Sequence, residues 1–256
     1  MHPLQSGPLF EDDILYLVYE GFEHKMKIDI VSDTVCPWCF IGKRRLERAL
    51  LERPNIKLEV HWHPFQLNPE MPLDGMDRQT YLNLKFGGSV NAQAIYGNIL
   101  AAGTSENLDF NFDAIGRMPN SLLSHRLVYF CQESKQQNLI TENLFRSYFF
   151  YGLDIGRLEN LIQISEESGL NSQKVKEYLS SDADSNLIRE QDKKAREIGI
   201  TGVPCFIIND EFVVSGAQEP KVFLQVFDAA ETSTATAAKR PLAALQLVNP
   251  PRPAQN

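Results

Sequence analysis

Two cysteines with a proline and a tryptophan between them form the most reactive short motif in this chain. They are Cys36 and Cys39, in the stretch VSDTVCPWCFIGKRR, where a β-branched, strand-like run gives way to a helix-like one. A cysteine pair at this spacing has three common uses: thiol–disulfide exchange, metal binding and structural packing. The spacing alone leaves all three open.

The position of the pair at a helix start favours thiol–disulfide exchange. The N–H groups and the dipole of a helix N-terminus favour an anion, so we expect Cys36 to be the attacking thiolate. Pro37 suits the first helical turn, where its missing N–H group is not needed. Cys39, one turn further into the helix, is expected to be the buried resolving thiol. Pro37 and Trp38, which lie between the cysteines, are predicted to contact the substrate.

A second stretch, GITGVPCF (residues 199–206), supplies the expected partner of the pair. Pro204 opens a strand after Gly-Val, which makes the Val203–Pro204 bond a candidate for the cis form. In the predicted topology this strand lies beside the first one, so Pro204 would face Cys36. A cis bond would leave the backbone of Val203 free to pair with an extended substrate. An ordinary trans proline that opens an edge strand is the alternative.

The predicted elements follow the order β-α-β, a long helical block, and β-β-α. Neither β-containing half makes a stable sheet by itself, so we predict one four-stranded sheet with the helical block as an insertion. This gives an α/β protein. The predicted organisation is an N-terminal extension (1–25), a discontinuous sheet domain (26–66 and 190–230), a helical insertion (67–189) and a flexible C-terminal tail (231–256).

The bulk composition excludes several function classes. The 256 residues carry a net charge of −8, and such an acidic chain is a poor nucleic-acid binder. The densest basic run, KRRLER (43–48), is interpreted as the solvated face of a helix. No apolar run approaches the roughly 20 residues of a membrane span, and residues 1–25 lack the pattern of a secretion signal. We therefore expect a cytoplasmic protein without a membrane or nucleic-acid partner.

Histidines allow a competing interpretation of the cysteine pair. His61 and His63 alternate on the second predicted strand, and together with the two cysteines they could form a tetrahedral zinc set. Because a pair at a helix start suits exchange better, we expect no metal. His125, in NSLLSHRL, is predicted to line a substrate groove between insertion and sheet. A hydrogen-bonded packing histidine is the alternative.

These motifs together resemble the DsbA-like thioredoxin-fold oxidoreductases, and among them the FrnE-type branch. The stretches that carry the resemblance span about residues 26–228 and are SDTVCPWCFIGKRRLERAL, HWHPFQLNPEMP, NSLLSHRLVYF and GITGVPCFIINDEFVVSGAQEP. The resemblance implies a thioredoxin fold, with a four-stranded mixed sheet and a large all-helical insertion. It also implies a protein disulfide oxidoreductase in which Cys36 and Cys39 are the redox pair and Pro204 is the cis-proline. Its partners would be protein or small-molecule disulfides and dithiols, with no cofactor except glutathione as an alternative co-substrate.

One position departs from the branch pattern. Cys205 directly follows Pro204, where a threonine or an aromatic residue is expected, and this would place a third sulfur near the pair. It is interpreted either as an auxiliary thiol or as a small buried strand residue. Cys131, in a helical run of apolar residues, is interpreted as a core residue.

Two other functions remain alternatives. The sister group of 2-hydroxychromene-2-carboxylate isomerases and kappa-class glutathione transferases typically carries serine at the reactive position. This chain keeps both cysteines, which favours redox chemistry over a glutathione-dependent isomerase or transferase. A non-enzymatic, chaperone-like binding module is the second alternative.

Overall fold

The order of secondary structure elements agrees with the predicted β-α-β, helical block and β-β-α. The computed structural model describes residues 25–132 and 136–236, with side chains except those of residues 89–92 and 234–236. The strands are β1 (Lys25–Ser32), β2 (Lys57–Pro64), β3 (Met76–Asp77), β4 (Arg117–Met118), β5 (Cys205–Ile208) and β6 (Phe212–Ser215). The α-helices are α1 (Pro37–Leu51), α2 (Arg78–Phe86), α3 (Ser89–Ser105), α4 (Leu122–Phe130), α5 (Gln137–Phe149), α6 (Leu158–Glu167), α7 (Ser172–Ser180), α8 (Ser185–Glu197) and α9 (Pro220–Thr236).

The central sheet has the strand order β2-β1-β5-β6. Strand β1 runs parallel to β2 and antiparallel to β5, and β5 and β6 form a hairpin. The hairpin turns at Asn209 and Asp210, whose φ angles are 51° and 56°, as the tolerance of these residues for positive φ predicts. In the β1–β5 register Val31 lies opposite Cys205, so the start of β5 adjoins the end of β1. The predicted four-stranded mixed sheet and thioredoxin fold are confirmed.

The two faces of the sheet are covered by different helices. Ile28 of β1 belongs to the main core, which also contains Phe206 of β5 and the apolar side chains of α1 and α9. Val31 belongs to a smaller cluster on the opposite face, with Ala195 of α8 and Cys205 of β5. Because successive strand residues point to opposite faces, the neighbours Phe206 and Cys205 enter separate clusters.

Within its described residues, the insertion contains one short β-pair besides its helices. Strands β3 and β4 form a short antiparallel pair in which Met76 lies opposite Met118 and Asp77 opposite Arg117. The prediction of an all-helical insertion is corrected by this pair. Two residues are too few to show the alternation by which a strand is recognised in sequence.

An aromatic cluster joins the insertion to the sheet domain. Phe145, Tyr148 and Phe149 of α5 are at most 1% exposed, which makes this segment the insertion core. Phe145 stacks on Phe40 of α1 with 5.0 Å between ring centroids. Offset aromatic pairs of this kind add about 0.5–1.5 kcal/mol beyond the burial of their area. The insertion is therefore packed directly on the helix that follows the cysteine pair.

Two of the predicted segment boundaries fall inside helices. The boundary between 189 and 190 lies inside α8, which is continuous because it packs on both α4 and β2. Residues 231–236 of the predicted tail continue α9, where Thr232 Oγ1 donates to the Asp228 carbonyl at 2.8 Å. The rest of the tail and residues 1–24 of the predicted extension lie outside the described residues. Among the described helices, none combines the length and the apolar character needed to span a membrane.

The basic run KRRLER is not the solvated face that we predicted. Lys43 is 3% exposed, and its Nζ donates to Glu142 Oε2 of α5 at 2.9 Å. Arg44 donates to the same oxygen at 3.0 Å. On another side of α1, Arg45 Nε donates to the buried Glu106 at 3.0 Å. These cations are paired with carboxylates that lie far away in sequence, so the run fixes α1 to the insertion.

Glu142 should make stability depend on acid pH. Burial alone would raise its pKa, but the hydrogen bonds and charges of Arg44 and Lys43 together lower the pKa below its ordinary 4.5. A carboxylate with a lowered pKa in the folded chain stabilises it above pH 4.5, and this stabilisation is lost as the pH falls through the folded pKa. Glu142→Gln should therefore lower the free energy of unfolding by about 2 kcal/mol near neutral pH. It should also weaken the pH dependence in the acid range, as measured by chemical denaturation at a series of pH values.

Glu197 offers a matched control. It pairs with Lys193, but both side chains are at least 60% exposed, so Glu197→Gln should leave stability nearly unchanged. If the free energy of unfolding depended on pH equally in wild type and Glu142→Gln, Glu142 would not be a source of the acid dependence.

Candidate active site

The first cysteine lies at the N-terminal end of α1. Cys36 is the N-cap residue with extended backbone angles (φ −97°, ψ 112°), and Pro37 occupies the first helical turn. The turn before the helix is closed by Cys36 N, which donates to the Asp33 carbonyl at 3.0 Å. This strand–turn–helix geometry places Cys36 where backbone N–H groups and the helix dipole favour an anion.

The loop before β5 completes the site. The Val203–Pro204 peptide bond is cis, as the sequence predicts. Cys36 Sγ donates to the Val203 carbonyl oxygen at 3.7 Å, across 167 positions of the chain. Two stretches that are distant in sequence therefore meet at one sulfur.

Gly42 sets how closely this loop approaches α1. A Cβ atom at Gly42 would lie 2.8 Å from Pro204 Cγ and 3.1 Å from Phe206 Cζ, whereas non-bonded carbon atoms prefer about 3.5–4.0 Å. Gly42 was not among the residues predicted from the sequence. A glycine inside an amphipathic helix destabilises the helix by about 1 kcal/mol relative to alanine. Its presence in the helical pattern of residues 38–52 is therefore a sequence signal for a close contact at this position.

The second cysteine has a different environment. Burial raises the pKa of Cys39 well above its ordinary 9.0, and the neighbouring Cys36 raises it further. Hydrogen bonds with the Ser32 side chain and the Asp33 backbone lower the pKa of Cys39, but these effects are smaller than the increase caused by burial and Cys36. Cys39 is therefore protonated at neutral pH and has to lose its proton before it can attack a disulfide.

Pro37, Trp38 and Val203 form the accessible rim of the site. Each is partly exposed, whereas Cys36 and Cys39 are 3% and 2% exposed. A substrate disulfide reaching the sulfur of Cys36 would pass these three residues. Their contact with substrate stays a prediction.

His125 lies behind the cysteine pair and not on an open surface. It is 5% exposed, and its Nε2 lies 3.3 Å from Oδ1 of the fully buried Asp33. The other carboxylate oxygen of Asp33 accepts from Leu67 N at 2.7 Å. This position favours the packing alternative for His125, because the ring joins α4 of the insertion to Asp33, the residue directly after β1. Asp33 was missed by sequence analysis, although it stands three residues before Cys36.

Cys205 does not supply a third sulfur beside the pair, so this part of the prediction is corrected. It belongs to the cluster on the opposite sheet face, with Val31 and Phe65, while Cys36 and Cys39 belong to the main core. The reason is the alternation of β5, which turns the residue after Pro204 away from α1. Burial raises the pKa of Cys205, and a hydrogen bond with Ser215 opposes this increase.

The remaining candidates fall outside the site. Cys131 is fully buried in the main core, as predicted. His61 Nε2 lies 3.0 Å from Glu59 and His63 Nε2 lies 2.7 Å from Asp29, so each histidine has a carboxylate partner of its own. Within residues 25–132 and 136–236, no three or more His, Cys, Asp or Glu side chains are arranged to hold a metal ion. The alternative zinc set is not brought together.

The fold and the cysteine site define a thioredoxin-type protein of the DsbA class. The chain belongs to the DSBA-like thioredoxin domain family, whose model matches residues 27–228. The family resemblance predicted from the sequence is thereby confirmed.

Comparisons with individual proteins agree with this assignment. The uncharacterized protein YwbO of Bacillus subtilis is 28% identical over 197 residues, which cover 77% of this chain and 92% of that protein. The crystal structure of a probable DsbA oxidoreductase from Streptomyces coelicolor is 29% identical, with a TM-score of 0.73 over 86% of this chain and 94% of the other. The cytosolic disulfide reductase DsbM from Pseudomonas aeruginosa is 17% identical, with a TM-score of 0.58 over 82% of this chain and 100% of the other. At that identity the last comparison supports the fold alone.

Gly42→Ala should disturb both stability and the site. The added Cβ would push Pro204 and Phe206 away from α1, at a cost of about 1–3 kcal/mol typical of overpacking. We expect a lower free energy of unfolding and a slower reaction of Cys36 with disulfides. Denaturant titration and stopped-flow kinetics measure the two effects.

Gly97→Ala is the matched control. Gly97 is also helical, but nothing lies within 4 Å of a Cβ added there, so alanine should stabilise α3 slightly. If Gly42→Ala left the free energy of unfolding and the reaction rate of Cys36 as unaffected as Gly97→Ala does, the close contact between α1 and the Pro204 loop would not be needed for stability or reactivity.

Proposed function

We propose that this protein is a thiol–disulfide oxidoreductase that acts on protein or small-molecule disulfides through Cys36 and Cys39. One observation carries the proposal: the Cys36 sulfur lies at the N-terminus of α1 and 3.7 Å from the carbonyl oxygen next to cis-Pro204. A structural cysteine would need neither the helix terminus nor the cis-proline loop.

The two thiols have separate roles in the proposed reaction. The Cys36 thiolate attacks one sulfur of the substrate disulfide, and the other substrate sulfur leaves as a thiolate. Cys39 then loses its proton and attacks the sulfur of Cys36, which releases the second substrate thiol. The substrate disulfide is reduced by two electrons and the pair becomes a disulfide. The reverse sequence oxidises a dithiol substrate.

The rim suggests how a substrate is held. The backbone of Val203 lies beside Cys36 at the start of the loop, so an extended segment can pair with it as an added strand would. Pro37 and Trp38, directly after Cys36 in the chain, offer partly exposed apolar surface. The proposed substrates are therefore a protein segment or a small disulfide such as oxidised glutathione, and the proposed reaction uses no resident cofactor.

The cytoplasm is the proposed compartment. The chain has four cysteines, of which only Cys36 and Cys39 lie close together in the sequence. Cysteine usage of this kind is typical of reducing compartments, where a close pair serves catalysis more often than structure.

The buried Cys39 favours exchange over a glutathione-dependent isomerase or transferase. Such an enzyme needs one reactive position and no resolving thiol. Burial raises the pKa of Cys39, and the thiol of Cys36 raises it further because the two groups lie close together. This is the geometry that intramolecular resolution requires.

Substitution of each cysteine should separate the two roles. Cys36→Ser should abolish insulin reduction and refolding of scrambled ribonuclease, because the nucleophile is lost. Cys39→Ser should keep the first attack but accumulate a mixed disulfide between Cys36 and substrate, which mass spectrometry detects.

Cys205→Ala is the control, since this residue is equally buried but lies on the other sheet face. It should keep nearly full activity. Full activity in Cys36→Ser would refute the proposed function.

A further inference from the structure

A pocket separate from the cysteine site lies between α2, α3 and residues 110–113. Its volume is about 360 Å³, within the range of roughly 300–1,000 Å³ that is typical of small-molecule sites. Neither Cys36 nor Cys39 lines it. The side chains that matter for its chemistry are one cation and five apolar or aromatic groups: Arg78, Leu82, Tyr96, Leu100, Phe110 and Phe112.

Two aromatic rings hold the guanidinium of Arg78 at this pocket. Its Cζ atom lies 5.1 Å from the ring centroid of Tyr96 and 5.8 Å from that of Phe112. The two rings are themselves packed together, with 4.6 Å between centroids. Cation–π contacts attract a guanidinium to the ring faces, but they do not satisfy its N–H groups. The rings therefore fix the position of the cation and leave its donors available.

The donors of Arg78 have no acceptor in the part of the chain that the structure describes. The residue is partly buried, and no described residue forms a hydrogen bond or an ion pair with its side chain. Arg44 and Arg126 also lie over rings, at 4.9 and 5.0 Å, but they donate to Glu142 and to backbone carbonyls. A guanidinium presents a planar fork of N–H donors that matches the two oxygens of a carboxylate or phosphate. The missing partner is therefore an anionic group.

The surface beside the cation is apolar. Leu82 and Phe110 are 9% and 8% exposed, and Leu100 is 40% exposed. A ligand that contacts these three side chains would remove apolar surface from water, which is favourable. The pocket thus offers a place for an apolar body next to a place for an anionic group.

The polar side chains of the pocket limit the charge of the ligand. Gln79, Gln93 and Asn111 are neutral amides, and Asp113 is an acid; all four line the pocket and are exposed. Asp113 repels additional negative charge, while Arg78 supplies a single positive charge. A carboxylate with one negative charge therefore suits the pocket better than a phosphate with two.

We propose that this pocket binds a small organic monocarboxylate, whose carboxylate pairs with Arg78 and whose apolar body packs against Leu82, Leu100 and Phe110. Binding is reversible and involves no covalent step. The site does not rest on the proposed function, because neither of the two cysteines lines it.

The ligand class is tested by calorimetric titration of the full chain with 3-phenylpropionate. We expect saturable binding with a Kd of about 1 mM or below. The uncharged 3-phenylpropanamide should bind at least about 10-fold more weakly, because it cannot form the charge-assisted pair. Phenyl phosphate, which carries two negative charges at about pH 8, should also bind more weakly. Absence of binding by 3-phenylpropionate, or equal or tighter binding by either comparator, would overturn the proposal.

Substitution of Arg78 tests the position of the carboxylate. Arg78→Gln should weaken binding of 3-phenylpropionate at least about 10-fold. Arg189→Gln is the matched control, since Arg189 is exposed on α8 and does not line the pocket, and it should bind as wild type does. Arg78→Lys keeps the charge but loses the fork, so its affinity should be intermediate.

A second measurement is independent of the folding of these variants. The Nε–H resonance of Arg78 in the wild-type protein, assigned by its loss in Arg78→Lys, should shift during titration with 3-phenylpropionate. Unchanged affinity in Arg78→Gln or an unshifted Arg78 resonance would overturn the proposal.

Filling the apolar part of the pocket tests the position of the ligand body. Leu100→Trp should abolish binding without changing Arg78. Leu139→Trp is its control, because Leu139 is 47% exposed on α5 and lies outside the pocket. Equal affinity in the two variants would contradict the assignment.

Cys36→Ser separates this site from the proposed reaction. It should bind 3-phenylpropionate with wild-type affinity, although insulin reduction is lost. Loss of binding in Cys36→Ser would place the ligand at the cysteine site and overturn the proposal. Failure of wild-type insulin reduction would instead refute the proposed function and leave the binding result intact.

Discussion

The approach of helix α1 to the Pro204 loop is the contact on which the site depends. The two elements come from distant parts of the chain. The β1–β5 pairing brings the end of β1 next to the start of β5, but it does not by itself fix the distance between α1 and the loop. The final distance is set by Gly42, where no side chain separates the helix from the proline ring. Any larger residue would move Val203 away from the sulfur of Cys36.

Ion pairs hold α1 against this loop from the side of the insertion. Lys43 and Arg44 bind Glu142 of α5, and Arg45 binds Glu106. Arg45 also donates to the carbonyl of Ala217, in the segment after β6, at 2.7 Å. Because these carboxylates are partly or fully buried, the pairs are screened less by salt than surface pairs would be. The helix is therefore held between the insertion and the hairpin, which keeps its N-terminus aimed at the loop.

The features that could be predicted from the sequence are those that leave a local pattern. The strand–CPWC–helix junction and the turn at Asn209 and Asp210 each follow from residue types within a few positions. The cis bond before Pro204 was predicted from the Gly-Val-Pro strand start together with the distant CPWC motif. The features that it missed depend on partners distant in sequence. Lys43 looked like a surface cation because Glu142 lies 99 positions away. Cys205 was placed beside the pair because it is adjacent to Pro204 in sequence, whereas in a strand adjacency means the opposite face.

The insertion is better understood as part of the site than as an addition to the fold. Helices α4 and α5 supply His125, Tyr129 and Thr141 to the space behind the cysteine pair. Without these helices the edge of β2 would be open, and Trp62 N would lose the side-chain oxygen of Gln137 that it donates to at 3.2 Å. The insertion thus covers this edge of the sheet and packs, through Phe145 on Phe40, against the helix that begins at the cysteine pair.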